Sequence, residues 1–145
     1  MAFVTWHNYG YGICVSELVN IPVERLRLLL EQAPSFCKEV DTWLVENGIE
    51  NPTYDDYMEF DDEYMTGLAT ILSRVIEEVE HIHFTACKDF DNDDFLIYMP
   101  RYPWELPDSE HDLTEERIED ILTAYVSILT DEAITIGYQS VENGG

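Results

Sequence analysis

Basic residues are scarce in this chain. Its 145 residues include seven Lys and Arg against 31 Asp and Glu, for a formal net charge of −24 at pH 7. A surface of that sign is repelled by phosphate groups, so the composition argues against nucleic acid and anionic lipid as direct partners. It favours a positively charged partner instead, because opposite potentials steer association.

Cysteine is also rare, and its spacing carries no metal or disulfide pattern. Cys14, Cys37 and Cys87 are odd in number and widely separated, with no CxxC pair. Structural zinc sites use closely spaced cysteine or histidine ligands, and disulfide frameworks use an even number of cysteines. We therefore expect three reduced and mostly buried thiols, no bound metal and no cofactor.

Long apolar runs are missing as well. No stretch approaches the roughly 18 apolar residues of a transmembrane helix. The start of the chain lacks the basic region and the apolar region of a secretory signal. We therefore expect a cytoplasmic protein with no membrane partner.

Apolar residues are nevertheless plentiful, at 46% of the chain. Segments with so much unbalanced charge usually remain unfolded because they cannot bury enough apolar surface. This chain has enough apolar residues to bury a core. Its length predicts a single domain over 1–145. The fold does not need the surplus charge, which indicates that the charge serves a partner.

The hydrophobic periodicity predicts an α+β fold, with helices packed on one face of a small, mostly antiparallel sheet built from hairpins. Helices are expected from Pro22 to Pro34, from a Ser35 cap to Gly48, from Met65 to Glu80, and from a Thr114 cap to Leu129. An acidic loop or short helix is expected over 54–63.

Glycine and turn residues predict the strands. Gly10 and Gly12 lie between aromatic residues and indicate a hairpin within 3–15. Strands over 82–90 and 95–99 flank a turn-rich Asp91–Asp94 sequence. A last strand is expected over 133–141, followed by a frayed tail over 142–145.

The carboxylates concentrate in two blocks. The acidic segment 39–63 contains no Lys or Arg, and a second block runs from Glu105 to Asp120 with Arg117 as its only basic residue. Glu77, Glu78 and Glu80 oppose the dipole of the helix they end, which indicates selection for something other than stability. The candidate partner-binding residues are Asp55, Asp56, Tyr57, Glu59, Asp61, Asp62, Glu63, Asp108, Glu110, Asp112, Glu115 and Glu116.

Other interpretations of the same residues remain open. An acidic block is often only a solvated helix face, and halophilic adaptation also produces acidic proteins. His81 and His83, two apart on a predicted strand, would share a face and form half of a metal site. The Asp91 turn resembles a calcium loop but lacks its Gly and its final Glu. No catalytic pattern is present, so we expect a protein that is not an enzyme.

A small, cysteine-poor α+β domain with two acidic blocks resembles the DNA-mimic inhibitors of phages and mobile elements, such as anti-CRISPR and anti-restriction proteins. The termini, Trp6–Gly12 and Tyr138–Gly145, resemble those of small uncharacterised proteins from Firmicutes and their phages. The first resemblance implies a non-enzymatic inhibitor that occupies the DNA- or guide-facing channel of a nuclease effector. We expect a monomer or homodimer in a bacterial host cell. Its partner would be a basic nucleic-acid-binding protein such as a CRISPR nuclease.

Two alternatives share part of this pattern. An immunity protein that neutralises a basic partner would carry the same charge. A small metal-binding protein would use His81, His83 and the Asp91 turn. Competition with nucleic acid distinguishes the first alternative, and metal analysis distinguishes the second.

Overall fold

The computed structural model describes residues 5–60, 67–99, 110 and 113–144. Within these ranges the chain is α+β, as predicted. The helices are α1 (Val23–Glu31), α2 (Pro34–Glu46), α3 (Tyr54–Met58), α4 (Gly67–Glu80) and α5 (Glu115–Leu129). The strands are β1 (Thr5–Cys14), β2 (Thr85–Lys88), β3 (Asp94–Tyr98) and β4 (Gly137–Gly144).

The strands form one antiparallel sheet in the order β2-β3-β1-β4. The predicted hairpin within 3–15 is wrong, because residues 5–14 are a single strand. A Cβ at Gly12 would lie 2.0 Å from the Leu96 carbonyl oxygen, and one at Gly10 would lie 2.6 Å from that of Tyr98. The glycines therefore allow β3 to approach β1 closely, and they do not form a turn.

The sheet curls until its two edge strands meet. The Phe90 amide, just after β2, donates to the Glu142 carbonyl of β4 at 3.0 Å, although β2 and β4 are at opposite ends of the strand order. β4 pairs with β1 as far as Gly144, which lies within the tail that we expect to fray. The predicted β2–β3 hairpin is confirmed.

The helices cover one face of the sheet. Helix α4 packs on β2 and β3, and α5 packs on β1. Leu96 of β3 joins the main core beneath them, whereas Phe95 and Ile97 join a smaller cluster with Val141. Successive strand residues point to opposite faces, so β3 contributes to both cores. Within the described part of the chain, every helix is too short or too polar to cross a bilayer.

Helix α2 begins two residues earlier than a Ser35 cap predicts and has a different cap. Pro34 is its first residue, and Ser35 does not cap it. The Glu78 carboxylate of α4 accepts hydrogen bonds from the Ser35 amide at 3.0 Å and the Phe36 amide at 2.8 Å. Those N–H groups have no partner inside their own helix, and the positive end of the helix dipole favours an anion there.

Four arginines join four helices in a closed circuit, the arginine ring. Arg27 of α1 pairs with Asp41 of α2 at 2.6 Å, and Arg74 of α4 pairs with Glu39 of α2 at 2.8 Å. Arg117 of α5 pairs with Glu80 of α4 at 3.0 Å. Arg25 of α1 closes the circuit by donating to the Ser127 and Ile128 carbonyls of α5 at 2.7 and 2.9 Å.

The arginine ring shifts the pKa values of two groups that it joins. The hydrogen bond from Arg27 lowers the pKa of Asp41, and the same bond raises the pKa of Arg27. Both groups are therefore held in their charged forms. The Arg74 guanidinium also lies 4.6 Å from the centre of the Phe36 ring, a favourable cation–π distance.

The glutamates at the end of α4 have internal roles. Glu78 caps α2, and Glu80 accepts from both Arg117 and Tyr125 at 3.0 Å. Glu77 lies 3.5 Å from the Nδ1 atom of His83. For Glu78 and Glu80, the interpretation that their position indicates selection for something other than stability is therefore wrong, because α2 and α5 use their carboxylates.

The contribution of the Glu78 cap to stability can be measured with Glu77 as the control position. We expect Glu78→Ala to lower the free energy of unfolding by about 1–2 kcal/mol, because two helix N–H groups lose a charged acceptor. Glu77→Ala, at an exposed position, should change it by less than about 0.5 kcal/mol. Urea denaturation measures both. Equal losses in the two variants would contradict the assigned cap.

The close approach of β3 to β1 at Gly12 leads to a second prediction. Gly12→Ala should destabilise the protein by about 2 kcal/mol or more, since its Cβ meets backbone atoms that cannot move aside easily. Gly137→Ala is the matched control, because a Cβ there meets nothing within 4 Å. Thermal unfolding compares the two. A Gly12→Ala protein as stable as the Gly137→Ala protein would refute the close approach.

Candidate partner-binding surface

The first acidic block is only partly available to a partner. Asp55 and Glu59 are exposed on α3. Asp56 instead belongs to a capping box, in which its carboxylate accepts from the Thr53 amide at 2.8 Å. Tyr57 is 3% exposed and packs in the core, so its prediction as a binding residue is wrong. Asp61, Asp62 and Glu63 lie outside the described residues.

In the second block, the structure describes one buried carboxylate and several exposed ones. Glu110 is 2% exposed, so its prediction as a surface contact is wrong. Glu115 and Glu116 are exposed in the first turn of α5, where the helix dipole favours carboxylates. Thr114 caps this helix, as predicted, by accepting from the Arg117 amide at 3.1 Å. Asp108 and Asp112 lie outside the described ranges.

Tyrosines of the sheet lie against this part of α5. The Tyr138 hydroxyl donates to Glu115, and the Tyr11 hydroxyl donates to Glu119. The Tyr9 and Tyr138 rings are stacked with centres 5.5 Å apart, and Tyr11 meets Tyr138 edge-on at 5.0 Å. These five residues form what we term the tyrosine–glutamate surface.

This surface is open to solvent and carries fixed negative charge. Tyr9 is 48% exposed and Tyr138 is 55% exposed. The hydrogen bond with Glu119 raises the pKa of Tyr11 to about 12, and the bond with Glu115 raises the pKa of Tyr138. The phenols therefore stay neutral donors near neutral pH. The surface combines aromatic faces, which suit interface contacts, with carboxylates.

Sequence reasoning missed the tyrosines of this surface. The aromatic contact predicted in the acidic segment is Tyr57, which is buried, as is the nearby Phe60. Tyr11 and Tyr138 are directly opposite each other in the β1–β4 register, which brings distant parts of the chain together. The alternation of Tyr9 and Tyr11 was a usable signal for one strand face. The predicted hairpin concealed it.

The two blocks are built on different elements. Helix α3 packs on α4, whereas α5 packs mainly on α1 and β1. Asp55 and Glu59 therefore form one acidic surface, and Glu115, Glu116 and Glu119 form another. The second adjoins an exposed aromatic stack, so we take the tyrosine–glutamate surface as the candidate site.

The proposed histidine pair is not on a strand. β2 begins at Thr85, and His81 ends α4 in the left-handed region with φ 58°. The expectation that His81 and His83 share a strand face is therefore wrong. In the Asp91 turn, the Asp89 side chain accepts from the Asp91 and Asp93 amides at 2.9 Å. No group of three potential metal ligands occurs among the described residues.

Comparison of the chain with protein-family models, curated proteins and solved structures finds no match. No family assignment follows from it. The geometry and charge of the surface therefore carry the functional inference.

The tyrosine–glutamate hydrogen bonds predict an alkaline titration. A phenol whose pKa is raised by folding stabilises the protein below its unfolded pKa of about 10, and that stability is lost as pH rises through the folded value. Glu119→Gln should move the Tyr11 pKa down from about 12.

Ultraviolet titration of the phenolates measures this change, and Tyr11→Phe identifies the signal. Glu116→Gln is the control. Glu116 lies on α5 three residues before Glu119, but the hydroxyl of Tyr11 bonds to Glu119. A Tyr11 pKa unchanged by Glu119→Gln would contradict the hydrogen bond.

Proposed function

We propose that this protein inhibits a basic nucleic-acid-binding protein, such as a CRISPR nuclease, by occupying its cationic groove through the tyrosine–glutamate surface. The protein itself performs no catalysis in this proposal. The observation that carries it is the exposed Tyr9–Tyr138 stack beside the carboxylates of α5.

The distribution of cations supports the proposal. Arg25, Arg27, Arg74 and Arg117 hold helices together, and Lys88 pairs with Asp94 at 2.8 Å. The basic residues of the described chain are thus largely committed to the fold. Arg117 is the one cation of α5 and it is paired with Glu80, so the field of the exposed α5 carboxylates extends toward an approaching partner.

The carboxylates of α5 lie close enough to one another to be bound together by the cations of one groove. Residues i and i+4 of a helix, such as Glu115 and Glu119, are neighbours with Cβ atoms about 5–6 Å apart. Duplex DNA presents one charge per about 1.7 Å of its axis, and its binders meet it with Lys and Arg. Carboxylates along one side of α5 can therefore engage several of these cations together.

The tyrosines add stacking contacts, which carboxylates alone do not provide. Exposed ion pairs contribute about 0–1 kcal/mol each and are screened by salt. Arg side chains stack favourably on Tyr faces, and Tyr is enriched among the residues that dominate interface energies. An exposed tyrosine stack beside carboxylates thus offers both interactions that a cationic groove can make.

The proposal predicts that the protein displaces nucleic acid. Purified CRISPR and restriction nucleases, each bound to a fluorescent DNA duplex, should release the duplex in at least one case when the protein is added. Glu116 and Asp120 directly follow the surface's Glu115 and Glu119 on α5, and the tyrosines bond to Glu115 and Glu119. Reversing Glu116 and Asp120 to Lys should therefore raise the concentration needed about tenfold, equal to about 1.4 kcal/mol, without removing the tyrosine acceptors. Displacement should also weaken as salt rises.

Glu24→Lys with Glu132→Lys is the matched control. Both pairs remove the same charge, and each contains one carboxylate from the first turn of a helix. Glu132 follows the far end of α5, about 20 Å of helix from Glu116. Equal weakening by both pairs, or a duplex that stays bound to every nuclease tested, would contradict the proposal. Binding to a nuclease that keeps its duplex would instead indicate an immunity-type protein.

A further inference from the structure

The protein also has a cleft beside α3, away from the tyrosine–glutamate surface. Its cavity of about 520 Å³ lies between α3, the start of α4, the start of β3 and the turn after β1. Its volume is within the range of about 300–1,000 Å³ that is usual for ligand sites. The lining includes Leu18, Asp55, Met58, Glu59, Leu68 and Asp94.

The lining separates into apolar and anionic parts. Val15 and Leu68 are buried and belong to the main core, and Leu18 and Met58 pack against that core. Asp55 and Glu59 are exposed and have no cationic partner among the described residues. Asp94 is already paired with Lys88 at 2.8 Å. The cleft therefore offers an apolar surface and two uncompensated carboxylates.

We propose that this cleft receives an arginine side chain of the cationic partner, with its methylene stem against the apolar lining and its guanidinium between Asp55 and Glu59. The choice of a cationic protein as the occupant rests on the proposed function. The assignment deepens that function, because it adds a second contact on a surface separate from the tyrosine–glutamate surface.

The chemistry of the cleft favours arginine over other cations. A guanidinium is planar and carries five N–H donors, so it can bond two carboxylates at once. It is also less strongly hydrated than an ammonium group, which lowers the cost of entering a partly apolar site. A divalent metal needs convergent ligands, and no such set of three occurs in the described residues.

The long stem of arginine suits the apolar lining. Arg side chains commonly bury their methylene groups along apolar surface while the charged end stays near water. Here the charged end would remain at the exposed Asp55 and Glu59 carboxylates. Burial raises the pKa of Tyr54, with smaller contributions from Asp55 and Asp94, so its phenol stays neutral in the cleft.

The probe is the peptide acetyl-Gly-Arg-Gly-amide, titrated into the protein and followed by methyl NMR. We expect shifts at Leu18, Met58 and Leu68, with the corresponding lysine peptide binding more weakly. Asp55→Asn with Glu59→Gln should weaken the arginine peptide about fivefold, since about 1 kcal/mol of charged hydrogen bonding is lost. Both positions are exposed, so the fold should be retained.

Glu115→Gln with Glu119→Gln is the control and should leave these shifts unchanged. Shifts spread evenly over all acidic surfaces, or equal binding by the Asp55/Glu59 variant, would overturn the cleft assignment. Duplex displacement by the wild-type protein without any cleft shifts would also overturn it, while leaving the proposed function standing. Cleft shifts without any duplex displacement would support the cleft and remove the proposed function.

Discussion

The packing of four helices by four arginines constrains the rest of the structure. Arg25, Arg27, Arg74 and Arg117 join α1, α2, α4 and α5 in a closed circuit, and the chain has only seven basic residues. Partly exposed ion pairs are individually weak, so these arginines mainly fix which helix faces meet above a core that supplies most of the stability. Once they are committed, few cations remain to neutralise the outer surface.

The surplus negative charge therefore has two fates. Some carboxylates act inside the fold: Glu78 caps α2, Glu80 receives Arg117 and Tyr125, and Asp56 closes a capping box. Others are exposed on α3 and α5, where a partner can reach them: Asp55, Glu59, Glu115, Glu116, Glu119 and Asp120. Only this second group fits the inference that the charge serves a partner, which makes the candidate surface smaller than the acidic blocks themselves.

Local patterns predicted the helices well, and contacts between distant residues escaped them. The apolar stripe of α4 and the Thr114 cap of α5 are signals within a few residues of each other, so the sequence displays them directly. Gly10 and Gly12 were misread because a glycine serves equally in a turn and at a close backbone approach. The Glu78 cap and the meeting of Tyr9 with Tyr138 depend on the assembled fold, and no spacing rule reveals them.

The central claim is that the exposed carboxylates oppose the stability of the fold and are retained for binding. The most direct test is the free energy of unfolding in urea, measured as sodium chloride rises from about 0.01 to 0.15 M, over which the screening length falls from about 30 to 8 Å. The account predicts that stability rises with salt, because repulsion in the compact state exceeds that in the expanded chain. A stability that falls over this range would show that attractive pairs dominate the surface and would contradict the claim.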